Sequence, residues 1–290
     1  MALILFGLVF LFVRDKTTKP QEDPISWNVT GPQHAFWPDD DQCSQFVTRF
    51  AAGNSLPTRA LVSYPGSGNT WLRYLIEAAT GVFTGSIYND KVILAGGHLG
   101  EGVDFRDGTT ILQKTHYNLN YKEDSKQQKH IEVFGGRGVL VVRNPYKALV
   151  SSWNYARTHS HTESADIHNP AFLTFAKKEI FVWLELIEDW VKQATELHCL
   201  VYENLKEDPK AELRKLLKHL NLPVDDSRLE CIEKHNSQKF HRAHNGSDNI
   251  EAFPLEVRVL MDEAILKANE LIYERTRVYL PLKKFAGLSL

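Results

Sequence analysis

The chain has 290 residues, 43% of them hydrophobic and 24% charged, which is ordinary for a folded protein and enough for one full-sized core. Its 34 basic and 36 acidic side chains leave a net charge of -2, which argues against nucleic acid as a partner but leaves room for a small anion held by a few local cations. Three cysteines are too few for a disulfide framework, and no C-x-x-C or His/Cys spacing suits a zinc site.

The chain opens on ALILFGLVFLFV, Ala2 to Val13, an unbroken apolar run followed by Arg14, Lys16 and Lys19. The run is shorter than the roughly 20 residues that span a bilayer comfortably. It also lacks the basic leader and A-x-A site of a cleaved signal peptide. Residues 1–14 therefore read as an uncleaved or truncated membrane anchor, with its basic flank on the wrong side for a type II orientation. Residues 15–57 are polar and carry prolines, and read as a stem or irregular lead-in.

From residue 58 to 290 strand and helix patterns alternate. ALVSY, starting at Ala60, is a short apolar strand. Asn69 to Ala79 is helical, with Leu72, Leu75, Ile76 and Ala79 on one side. TTILQKTH and GVLVVR are a second and third strand, and Pro145 to Ala156 is a helix that opens on its proline. Between Ala171 and Ala194 the apolar positions Leu173, Ala176, Ile180, Trp183, Leu184, Ile187 and Val191 recur at steps of three and four. HCLVYE is a fourth strand, and PKAELRKLLKHLNL and LEVRVLMDEAILKANELI are further helices. The predicted fold is α/β: a P-loop-like three-layer arrangement with a central, mostly parallel sheet flanked by helices. Ligands of such sheets bind beyond the carboxyl ends of the strands. The YPGSGN loop, the KTH and the RNP all fall at such ends.

Each of these stretches has chemistry suited to an anion. In YPGSGNTW, Gly66 and Gly68 let the backbone turn sharply, and a helix starts at Asn69 with its free N–H groups forward. Ser67, Asn69 and Thr70 add side-chain donors, and Trp71 an aromatic face. The loop has no GK[ST], which argues against a P-loop kinase or NTPase. In KTH, Lys114 and His116 are two apart on a strand and so point the same way, a cation beside a general base. Arg143 ends the third strand as a planar fork for phosphate, and Ser151 follows two helical turns later.

Together these stretches resemble the sulfotransferases that use 3′-phosphoadenosine 5′-phosphosulfate, over the span from Arg59 to Pro223. LVYENLKEDPKAELRKLLKHLNLP resembles that family's fourth-strand and helix pattern as well. The SYPGSGNTW variant is most similar to the sulfotransferase domain of the WSC-domain-containing proteins, which act on sialylated glycans; no cysteine-rich WSC module is present. The resemblance implies that Gly66, Ser67, Gly68, Asn69 and Thr70 hold the 5′-phosphosulfate and that Trp71 and Tyr202 meet the adenine. It likewise implies that Arg143 and Ser151 hold the 3′-phosphate, that His116 is the catalytic base and that Lys114 stands beside it.

This chain departs from the family at two points. The family's loop lysine, which assists the leaving group, is Gly66 here. The late R-K-G clamp is replaced by NSQKFHRAHNG, where Ser237, Lys239 and Arg242 are the candidates. Lys114 is the first substitute for the missing cation. Arg73 is second, on a helical position expected to point elsewhere.

The implied activity is sulfuryl transfer to a hydroxyl acceptor, a glycan and one that carries sialic acid, without a metal. The alternative, motivated by Gly66, is an inactive nucleotide- or glycan-binding pseudoenzyme. The implied location is the Golgi or another secretory-pathway membrane, with the catalytic domain lumenal. Sequons at Asn28 and Asn245 agree with it. There Cys199 and Cys231 would pair and leave Cys43 over, free buried thiols being the alternative. The glycine-rich stretch GVFTGSIYNDKVILAGGHLGEGVDF is expected to form a substrate-facing lid, and Arg157, His159 and His161 to meet the acceptor.

Overall fold

The computed structural model describes residues 27–116, 131–158, 165–235 and 253–285. The apolar run at residues 1–14, the sequon at Asn245, His159, His161, Ser237, Lys239 and Arg242 lie outside the described residues. No helix among the described residues is long and apolar enough to cross a membrane.

In chain order the strands are β1 (Val29–Ala35), β2 (Val47–Ala51), β3 (Ala60–Ser63), β4 (Gly85–Ser86), β5 (Gln113–His116), β6 (Arg137–Val142) and β7 (Glu196–Val201). The helices are α1 (Asn69–Thr80), α2 (Lys91–Ala95), α3 (Pro145–Thr158), α4 (Pro170–Gln193), α5 (Tyr202–Glu207), α6 (Pro209–His219), α7 (Asp226–His235) and α8 (Leu255–Thr276). Strands β3 to β7 form one sheet in the order β4-β5-β3-β6-β7, with all neighbours parallel.

Consecutive residues of a strand face opposite sides, and here both sides are buried. Val62, Leu140, Val142 and Val201 pack with α3, α4 and α8. Leu61, Val139, Val141 and Leu200 pack with α1, α6 and α7. This is the α/β fold expected from the continuous apolar runs. The differences are local. The expected second strand enters the ladder only at Gln113, and the fourth ends at Val201 because Tyr202 opens α5. The edge strand β4 is a Gly-Ser pair with no apolar signal.

The stretch read as a stem is built into the domain where it is described. β1 and β2 pair antiparallel, and Phe36, Trp37, Phe46, Ala51 and Leu56 are buried in the core beneath α1 and α7. A disulfide joins Cys43 to Cys231 on α7. This corrects the expected pairing of Cys199 with Cys231. Cys199 is buried on the α4 and α8 face of β7, and Cys231 lies on the opposite side of the sheet. Asp40 and His235 lie close to Cys43, but its sulfur is committed to the disulfide, and Asp40 takes contacts of 2.7 Å from both Lys234 and His235.

Candidate active site

The loop Tyr64–Gly68 leaves the carboxyl end of β3 and enters α1. Two left-handed glycines shape it, Gly66 at φ +79° and Gly68 at φ +84°. A Cβ on Gly66 would stand 2.7 Å from the Ala148 carbonyl and 2.9 Å from the Ser151 Cβ. A Cβ on Gly68 would stand 2.4 Å from the Tyr202 ring. The glycine that replaces the family lysine is therefore a packing requirement: the loop lies directly on α3. Behind it, buried Tyr64 donates to Glu179 on α4 at 2.7 Å.

The loop presents unspent donors. No side chain caps the amino end of α1, whose N-cap is Gly68. Ser67 is buried and its hydroxyl has no hydrogen-bond partner. Arg143, at the end of β6, donates from Nη1 to the Gly66 carbonyl, while its buried Nε has no partner. Its guanidinium lies 4.6 Å from the centre of the Tyr202 ring, and Trp71 meets that ring edge-on at 5.6 Å. Gly66, Gly68, Trp71, Arg143, Ser151 and Tyr202 thus come together from separate elements. Glu203, which the sequence reading passed over, accepts the Asn144 N–H at 3.1 Å and fixes the start of α3 next to Arg143.

Asn69 differs from expectation. Its side-chain amide turns inward, donating to the Leu61 carbonyl at 3.0 Å and the Ser63 hydroxyl at 3.2 Å. The donors of that amide are thus committed to the interior. Half-buried Thr70 follows in the first turn of α1.

The inward turn of Asn69 links the loop to the base. Ser63 pairs in register with His116 across β3 and β5. Its hydroxyl lies 3.3 Å from His116 Nδ1, and its carbonyl 2.8 Å from the same nitrogen. A carbonyl only accepts, so Nδ1 carries the proton and the lone pair belongs to Nε2. Burial, with the Lys114 charge beside it, pushes the imidazole down to about 3, so the ring is neutral at physiological pH.

Lys114 is buried beside it. Burial and the Arg73 charge lower its ammonium to about 8, against the pull of Glu101 and Asp90. Both Lys114 and His116 lie against Tyr88, with the ammonium 5.7 Å from the ring centre and the imidazole stacked at 5.6 Å. Lys114 and His116 therefore share a side, as their spacing predicts. Tyr88 itself was not singled out by the sequence reading, since it stands in a short connection without a motif.

Arg73 points elsewhere, as expected. It is fully buried, ion-paired with Glu101, and donates from Nε to the Thr84 hydroxyl at 2.7 Å. Glu77, one turn on, accepts the Thr84 N–H at 3.1 Å and meets His98 at 3.3 Å. These contacts fasten the glycine-rich stretch to α1. The expected lid is in this respect a stapled wall, with Tyr88 exposed at its edge.

The Sulfotransferase domain family matches residues 56–253. A WSCD family member from Aedes aegypti is 33% identical over 186 residues, covering 62% of this chain and 55% of that protein. A WSCD family member from Drosophila melanogaster is 32% identical, covering 62% and 56%. The chain thus spans about half the length of these curated relatives. Among solved structures, mouse sulfotransferase SULT7A1 complexed with PAP shares the fold at a TM-score of 0.50 and 20% identity, over 79% of this chain and 88% of that one.

Proposed function

Since the chain belongs to the sulfotransferase domain family, we propose that it transfers a sulfuryl group from 3′-phosphoadenosine 5′-phosphosulfate to a hydroxyl of a glycan acceptor. The residues present fit the nucleotide. Ser67 has a buried hydroxyl to give, the amino end of α1 is uncapped, and Arg143 has an unspent Nε. Gly66, Ser67, Gly68, Thr70 and the Asn69 backbone would hold the 5′-phosphosulfate. Arg143 and Ser151 would hold the 3′-phosphate, and Trp71 and Tyr202 the adenine. Ser237, Lys239 and Arg242 are proposed to complete the grip.

The nucleotide supplies the sulfuryl group, and transfer of this kind is governed by positioning and charge. His116 takes the acceptor's proton on Nε2, and Nδ1–H stays on the Ser63 carbonyl throughout. That bond is the observation that carries the reading, because it ties up Nδ1 and leaves the lone pair on Nε2, on a residue paired in register with Ser63 where the phosphate loop begins. Lys114, buried two residues before His116, would offset charge on the leaving oxygen in place of the absent loop lysine. Sialylated glycans are the proposed acceptors, on the resemblance of the SYPGSGNTW loop to the sulfotransferase domain of the WSC-domain-containing proteins. A Golgi or other secretory membrane location, with the domain lumenal and the segment 1–14 as anchor, is proposed with them. The Cys43–Cys231 disulfide and exposed Asn28 agree with an oxidising lumen.

The test is transfer of labelled sulfate to paired sialylated and desialylated glycans. His116→Ala should lower turnover about a hundred- to ten-thousand-fold and leave the Kd for the desulfated nucleotide unchanged. Near-normal turnover would remove His116 as the base. Gly66 favours a second reading, a pseudoenzyme that binds nucleotide or glycan. Tight nucleotide binding with no transfer to any member of the panel would establish it.

A further inference from the structure

Tyr88 completes a ladder that the backbone leaves unfinished. β4 runs beside β5, and its hydrogen bonds advance in steps of two: the Gly85 N–H reaches the Leu112 carbonyl at 2.7 Å, and the Ile87 N–H the Lys114 carbonyl at 3.2 Å. The next rung would join Asn89 to His116. Asn89 has φ +51°, a left-handed turn that leads instead to Asp90, the N-cap of α2. Among the described residues, the His116 backbone therefore faces an edge with no strand beyond it. The Tyr88 hydroxyl takes that place. It accepts the His116 N–H at 2.7 Å and lies 3.3 Å from the His116 carbonyl, to which it donates. Burial raises the phenol above its ordinary value, so it keeps the proton that this donation needs.

The same residue also meets the side chain, since its ring stacks on the imidazole at 5.6 Å with planes 25° apart. Backbone and ring of His116 are thus held from one side by a single tyrosine, and from the other by Ser63. We propose that Tyr88 is the positioning residue for His116: its hydroxyl fixes the strand end and its ring fixes the imidazole plane, so that Nε2 faces the acceptor. The proposal rests on the reading of His116 as the base.

Tyr88→Phe keeps the ring and removes the clasp, and Tyr88→Leu removes both. With labelled phosphosulfate nucleotide and sialyllactose, Tyr88→Phe should lower kcat about tenfold, the worth of one hydrogen bond that holds the base in place. Tyr88→Leu should lower it further. The Kd for the desulfated nucleotide should stay within twofold in both, since the phosphate loop is untouched. The 15N shifts of the His116 ring give a readout independent of turnover. The wild type should show a protonated Nδ1 and a bare Nε2, and Tyr88→Phe should move both shifts toward a mixture of tautomers. A kcat within twofold of wild type together with unmoved ring shifts would overturn the proposal. If the wild type itself transfers nothing to sialyllactose, the reading of that acceptor fails. The ring shifts then decide the clasp alone, and unmoved shifts in Tyr88→Phe overturn it.

Discussion

At the scale of single residues the site turns on Gly66 and Lys114. The departure from the family motif invites the idea that restoring the lysine would improve the enzyme. The geometry predicts the opposite. A Cβ at Gly66 meets the Ala148 carbonyl at 2.7 Å in a left-handed backbone. Gly66→Lys should cost about 1–3 kcal/mol in stability, read from denaturant unfolding, and weaken nucleotide binding in a titration with the desulfated nucleotide. The second prediction concerns pH. Lys114 sits near 8, so it is charged below that pH and neutral above it. His116, near 3, is neutral through the whole physiological range. The kcat/KM of the free enzyme should then be flat from about pH 5 to 7 and fall above about pH 8. Lys114→Arg should carry the plateau to higher pH. The shared side of Lys114 and His116 was legible because a strand has a two-residue period. Ser63 and Tyr88 were not, because their part depends on strand register and on where a neighbouring strand stops, and neither leaves a motif.

At the scale of elements the fastening of α1 to the stretch after it stands out. Leu72, Leu75, Ile76 and Ala79 face the core as their periodicity predicts, but so do Arg73 and Glu77. A helix with charges on its buried face reads from sequence as exposed there. What the sequence does not reveal is that Glu101, Thr84 and His98 arrive from the next segment to meet them. Arg73 and Glu101 are both fully shielded from solvent. Removing one partner strands the other, so Glu101→Ala should destabilise the fold by about 3–5 kcal/mol, measured by urea unfolding. The same change removes a group that supports the Lys114 charge. The apolar strands and the long helices were legible from their periods. The two-residue strand β4 and the hairpin of β1 and β2 were not, since polar, glycine- and proline-bearing sequence carries little pattern.

At the scale of the whole molecule, sheet order decides what is firm and what gives way. The disulfide partner of Cys231 was missed because pairing depends on which side of the sheet each cysteine occupies, and that is a tertiary fact. The α/β class itself needed only the alternation of patterns. β3 lies at the middle of the sheet, bonded along its whole length to β5 on one side and β6 on the other. β4 is an edge of two residues. In deuterium exchange the amides of Leu61 and Val62 should be among the last to exchange, and those around Gly85 to Tyr88 among the earlier ones in the sheet. The phosphate loop is thus mounted on a strand bonded on both sides, and the wall beside His116 on a two-residue edge held by the side-chain contacts of Arg73 and Glu77. On the proposed reading, such a division would let the acceptor side change in sequence while the central strand keeps the loop that grips the nucleotide in place.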